Sequence, residues 1–144
     1  MLPLFKSHYS IGRSILTLSP SSRSSGADSI ISIALENKLK TIILVEDSPI
    51  GFLESLKACE ANNIQLVFGL RFSFCDEGCS QEKTRDSHKV IIFSKNKKGC
   101  ALLNSLYTAA FTKNGGYLDH NDLKKYWPTD DLRLCIPFYD SFLH

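Results

Sequence analysis

Apolar positions in this chain fall into short runs divided by polar punctuation, and their spacing predicts strands alternating with helices. The run Thr41-Ile-Ile-Leu-Val45 is continuous and ends abruptly in Glu46-Asp47, the signature of a strand buried on both faces. A helix over about 49–62 follows, placing Phe52, Leu53, Leu56 and Cys59 or Glu60 on adjacent faces, with Glu54, Lys57 and Glu60 outside. Pro49 suits its first turn, and Asp47 or Ser48 is positioned to cap it. A second apolar run, Ile64 to Phe68, ends in Gly69-Leu70-Arg71 and extends through Phe72-Ser-Phe74; Gly69 marks a bend or bulge. Residues 39–71 therefore read as a β-α-β unit. Both runs deliver charged side chains at their C-terminal ends, the edge where α/β proteins place their chemistry.

The flanks continue the alternation. Leu2 to Phe5 reads as a first strand, with the polar cluster Lys6-Ser-His-Tyr-Ser10 emerging at its end. Residues 19–29 are a serine-rich loop, and Asp28 or Ser29 caps a helix over about 29–37, its apolar positions dense enough for burial against a sheet. After a polar loop over 75–87, Lys89 to Phe93 is the clearest strand of the second half. A helix over about 97–112 then buries Leu102, Leu103, Leu106, Tyr107, Ala110 and Phe111. Asn114-Gly-Gly116 is a turn, Asn121 to Tyr126 a short helix stopped by Trp127-Pro128, and Leu132 to Ile136 a final strand. Strands alternating with helices argue for an α/β fold with mainly parallel strands.

Composition narrows the class without naming an activity. The 144 residues suffice for one compact domain, and 43% hydrophobic with 22% charged content is ordinary for a globular protein. A net charge of +2 gives no argument for nucleic-acid binding by bulk electrostatics. No apolar run approaches the roughly 18 residues of a membrane span, and the N-terminus lacks the order of a signal peptide; the expectation is a cytoplasmic protein with no membrane partner. Of the five cysteines, Cys59, Cys100 and Cys135 fall inside predicted helices or a strand, where a thiol acts as small apolar filler. Cys75 and Cys79 have the spacing of half a zinc site, but no second pair answers them. They are expected to be two loop thiols in a reducing cytosol.

Several blocks resemble a known family. Lys6-Ser-His-Tyr-Ser10 resembles a His-x-His-Ser segment followed by Tyr-Ser; Ile43 to Gly51 resembles a Leu-Thr-Asp-His-Gly block; Ala61 to Arg71 resembles a segment ending in Gly-x-Glu. The most specific block is His88-Lys-Val-Ile-Ile-Phe-Ser-Lys-Asn-Lys-Lys-Gly99, followed by Leu103 to Phe111. Together they resemble the PHP (polymerase and histidinol phosphatase) domain of bacterial replicative DNA polymerase III alpha subunits, over nearly the whole chain. The resemblance implies about the first half of a distorted (β/α)7 barrel. Residues 1–144 would form a single PHP-like domain, incomplete at its C-terminus.

In active PHP domains the resemblance implies a cluster of His, Asp and Glu that binds divalent metals for phosphoester hydrolysis. Aligned on Tyr9-Ser10, the histidines of the first motif fall on Leu4 and Lys6, while His8 stands out of register. Aligned on Gly51 and Gly69, the remaining ligands fall on Val45, Glu46 and Arg71. Lys and Arg are donors with permanent positive charge and cannot replace a ligand. The expectation is no metal cofactor, with Lys6 and Arg71 forming an ion-paired plug around Glu46 and Asp47.

Two function classes follow. The first is a non-catalytic scaffold acting in DNA replication, docking a polymerase core or a proofreading exonuclease subunit and touching DNA only indirectly. The second is a metal-dependent phosphoesterase or 3′-5′ exonuclease using His8, Glu46 and Asp47 with manganese or zinc and ligands from another chain. The bland readings of the other candidates are preferred. His88 is a strand residue, His120 sits near a helix cap, His144 is terminal, and Lys95, Lys97 and Lys98 form a solvated turn.

Overall fold

The computed structural model describes residues 3–10, 14–19, 28–75, 87–127 and 130–139. Among them are six strands and four helices in a mixed α/β order. They are β1 Leu4–Phe5, α1 Ile30–Glu36, β2 Thr41–Glu46, α2 Phe52–Ala61, β3 Gln65–Phe74, β4 His88–Ser94, α3 Lys97–Lys113, β5 Tyr117–Leu118, α4 His120–Tyr126 and β6 Leu132–Cys135. Strand pairing is mostly parallel. The backbone divides into two compact units, Met1–Gly69 and Leu70–His144, and β3 crosses the division.

In the first unit the strands run in the order β1-β2-β3. β1 is parallel to β2, with Leu4 opposite Ile43 and Phe5 opposite Leu44. Of the two candidate caps, Asp28 and Ser29, it is Ser29 that caps α1: its Oγ accepts from the Ser32 N–H at 3.3 Å and donates to the Leu18 carbonyl at 3.3 Å. That double use leaves no orphan at a buried hydroxyl. Ile30, Ile31 and Ala34 of α1 are buried, as are Ile42 and Leu44 of β2 and Phe68 of β3. Phe68 stacks edge-on against Phe52 with ring centroids 5.0 Å apart. Burial lifts the Cys59 thiol to about 11, so it stays protonated as packing material.

α2 starts three residues later than its sequence signals. Neither Asp47 nor Ser48 caps it; the N-cap is Gly51, with no side-chain cap bond. The Phe52 N–H instead closes a turn on the Pro49 carbonyl at 3.0 Å. Gly51 is required because the Tyr9 ring lies on it: a Cβ there would sit 3.0 Å from Cγ and 3.1 Å from Cε2. Gly69 likewise makes no break, since β3 is one strand of ten residues.

In the second unit β3, β4 and β6 are successive neighbours, and β5 pairs with β3 in parallel, Ser73 opposite Tyr117. The final strand is antiparallel to β4, against the parallel trend. β5, two residues long, is too short to leave a periodicity signal in the sequence. α3 buries Leu103, Leu106, Ala109 and Ala110, but Phe111 is 53% exposed. Phe111 lies on the rim of the helix, where its ring meets Tyr107 at 4.5 Å and covers Gly116, whose φ of +98° requires glycine. α4 begins at Asp119 with a reciprocal capping box to Asp122. Cys75 is disulfide-bonded, contrary to the loop-thiol expectation, and Cys79 lies outside the described residues.

α3 and the segment before β6 meet at Gly99. A Cβ there would run into the Asp131 carbonyl oxygen, with its carbon at 3.2 Å and Ser94 Cα at 3.4 Å. Alanine gains up to about 1 kcal/mol of helix propensity over glycine, whereas overpacking against immovable backbone costs about 1–3 kcal/mol. Gly99→Ala is therefore expected to lower stability in urea unfolding, and an unchanged or raised midpoint would show that this approach is looser than described.

Candidate functional site

The candidate site is the C-terminal end of β1 and β2 in the first unit. Parallel pairing of Phe5 with Leu44 carries the next residues, Lys6 and Ser7, alongside Val45 and Glu46. Val45 is buried, as a core strand residue should be; Leu4, by contrast, is 57% exposed on the short strand β1. β2 does not end at Val45 as its apolar run predicts: it includes Glu46, which is fully buried.

A buried carboxylate must find donors, since burying an unpaired charge costs far more than one hydrogen bond returns. Glu46 finds them in the segment after β1. The Ser7 N–H donates to Oε1 at 2.6 Å, and the Ser10 hydroxyl donates to Oε2. Ser10 Oγ in turn accepts from the Asp47 N–H at 3.3 Å. Ser7 and Ser10 are themselves fully buried, and the Ser10 N–H closes a turn on the Ser7 carbonyl at 3.0 Å. In the sequence both serines stand out only as part of the Lys6–Ser10 motif; a charged residue ending a buried strand, with two small hydroxyl residues after the neighbouring strand, is the signal that points to them.

The remaining charges sort around this centre. Lys6 Nζ pairs with Asp47 Oδ2 at 3.5 Å, the two side chains 21% and 28% exposed. The expected plug thus differs in detail: Lys6 neutralises Asp47, and Glu46 is held by a backbone N–H and a hydroxyl. Arg71 lies on β3 in the second unit. The Tyr9 hydroxyl donates to Glu54 Oε2 of α2, and this bond, then burial and the Glu54 charge, raises the phenol above its ordinary value of 10.0. His8 is exposed, its ring 4.1 Å from that of Tyr9. The His8 backbone N–H donates to the Leu16 carbonyl at 2.7 Å. Ser14 Oγ bonds the Lys6 carbonyl at 2.7 Å, so residues 14–16 brace the segment from behind.

This donor set does not fit a divalent ion. Among the described residues no three His, Cys, Asp or Glu side chains gather in a group that could hold one. Both Glu46 oxygens already receive protein hydrogens, and an ammonium stands at Asp47. The arrangement ties a loop to a strand end and to a helix; it does not present an open acid.

No protein-family profile matches the chain, and no curated protein matches it. Among solved structures it is similar to a protein from Bifidobacterium adolescentis that was inferred to be a metal-dependent phosphoesterase. The two share 14% identity with a TM-score of 0.38, covering 78% of this chain and 35% of that one. The chain thus spans about a third of that protein's length.

Two outcomes follow from the geometry. Removing the Ser10 hydroxyl strips a donor from a buried carboxylate, a loss of about 1–3 kcal/mol, whereas a partly exposed ion pair contributes at most about 1 kcal/mol. Ser10→Ala is therefore expected to destabilise the fold more than Lys6→Ala in parallel urea melts; the reverse order would mean that the ion pair is the main tie. Tyr9 should titrate later than an ordinary phenol. Because its folded value is raised, its contribution to stability is complete below pH 10.0 and is lost as pH climbs through the folded value. Phenolate absorbance should show this late tyrosine disappearing in Tyr9→Phe and returning to the ordinary range in Glu54→Gln.

Proposed function

We propose that this chain is a PHP-like module without phosphoesterase chemistry of its own, serving a C-family replicative DNA polymerase as a structural or partner-docking part. The observation that carries the reading is the commitment of the two acids at the end of β2. Glu46 is buried beneath Ser7 and Ser10, and Asp47 is paired with Lys6. A hydrolytic metal centre needs acids and imidazoles converging on open coordination positions. Here those groups bind the protein to itself.

The polymerase assignment is supported by the block from His88 to Gly99 and its continuation to Phe111, which runs along β4, a short turn capped by Asn96, and α3. The alternation β1-α1-β2-α2-β3, followed by β4 and α3, supports about the first half of a distorted (β/α)7 barrel. The partners this reading implies are a polymerase core or a proofreading exonuclease subunit, with DNA reached through them.

The test is metal content and manganese- or zinc-dependent 3′-5′ nuclease activity of the purified chain, beside Glu46→Gln and Asp47→Asn. Substoichiometric metal and no metal-dependent hydrolysis are expected, with association to a C-family polymerase core or its exonuclease in sedimentation as the positive counterpart. Stoichiometric metal that is lost together with hydrolysis in either folded variant would overturn the reading in favour of a phosphoesterase using His8, Glu46 and Asp47.

A further inference from the structure

The strands of the second unit have their helices on one face and their cations on the other. Side chains alternate along a strand, and residues opposite one another on paired strands share a face, so a few contacts settle both sides. Phe72 of β3 meets Tyr107 of α3 with ring centroids 6.4 Å apart, and Phe74 stacks edge-on against His120 of α4 at 4.9 Å. Leu118 lies opposite Phe74. Val90 and Ile92 of β4 and Leu132 of β6 complete this helix-covered face. All six are 5% exposed or less.

The intervening positions point the other way. On β3 they are Arg71 and Ser73, and Tyr117 of β5 lies opposite Ser73. Lys89 of β4 belongs with them, since its Nζ donates to Ser73 Oγ at 2.6 Å. Ile91 and Phe93 follow on the same side of β4, with Cys135 and Arg133 of β6 opposite them. Ile91 is 9% exposed; every other residue of this set is part-exposed or exposed.

This face therefore carries Arg71, Lys89 and Arg133 together with the rings of Phe93 and Tyr117, and none of its strand positions named above is a carboxylate. Arg133 pairs with Asp130 at 2.7 Å, but Lys95 engages the same carboxylate at 3.1 Å, so one acid is divided between two cations. The net charge of the whole chain is only +2; the positive bias is local. Charge of one sign interleaved with flat rings is complementary to a polyanion that also presents planar groups. An acidic peptide would meet the cations and leave the rings without planar partners.

We propose that this sheet face binds single-stranded RNA, with phosphates on Arg71, Lys89 and Arg133 and bases against Phe93 and Tyr117. Unpaired bases offer their faces to aromatic side chains, whereas a duplex hides them in its own stack. The strands β5, β3, β4 and β6 are successive neighbours, about 14 Å across at the usual strand spacing, which suits two or three nucleotides. Ser73 Oγ accepts from Lys89 with one lone pair and keeps the other, and the Tyr117 hydroxyl belongs to the residue across from it. These are acceptors that a ribose 2′-hydroxyl can use and a deoxyribose cannot. The proposal is independent of what the strand-end site on β1 and β2 does.

The experiment is fluorescence anisotropy of the full chain with a short labelled oligouridine, beside oligothymidine, an RNA duplex and an oligoglutamate peptide. Salt-sensitive binding of oligouridine is expected, tighter than that of the other three. Phe93→Leu keeps an apolar side chain and removes the stacking ring; it should weaken binding about fivefold or more. Arg133→Gln, at an exposed position, should weaken binding and flatten its salt dependence. Lys124→Gln, an equal loss of charge on exposed α4, should leave binding unchanged. Urea midpoints of each variant report folding. No binding of oligouridine, equal binding of oligothymidine, the duplex or oligoglutamate, or binding unchanged in folded Phe93→Leu and Arg133→Gln would overturn the proposal.

Discussion

The first unit depends on one buried charge. Glu46 has no solvent exposure, and at the end of a strand it must be met by donors or expelled from the fold. The segment from Lys6 to Ser10 meets it with one backbone N–H and one hydroxyl, and the other contacts of that segment follow from being held there. Tyr9 is carried over α2 to reach Glu54, its ring settles on Gly51, and Lys6 comes beside Asp47. α2 then begins at Phe52, because the residues before it are occupied in the turn beneath the Tyr9 ring.

The second unit is tied by backbone proximity instead of charge. Gly99 lets α3 approach the Asp131 carbonyl, and the Lys95 N–H bonds that same carbonyl. Asn96 both caps α3 through the Gly99 N–H at 2.9 Å and donates to Asp131 at 2.8 Å. The surrounding ion pairs are exposed and individually weak; the close approach and the cap set the geometry, and the charges decorate it. The same junction aligns β6 on β4 and so decides which backbone groups face outward.

These two constraints bear differently on function. At the end of β1 and β2 the polar groups satisfy one another, and what could have been an open acidic site is a closed set of ties. At β6 the change is one of exposure: Leu132 is buried, and Leu134, two residues on, is 42% exposed.

The sequence by itself determined the element order. Continuous apolar runs for β2 and β4, a helix cap at Asp28 or Ser29 and the Gly115-Gly116 turn are local signals with local causes, so they could be read without coordinates. Only the tertiary structure decided that Lys6 answers Asp47 while serines answer Glu46, because donor choice depends on the register of β1 against β2. It alone decided that Gly51 caps α2, that Phe111 lies outside the core, and that β6 runs antiparallel. Each of those depends on a contact between residues far apart in the chain, and periodicity within a segment carries no information about what the segment will meet.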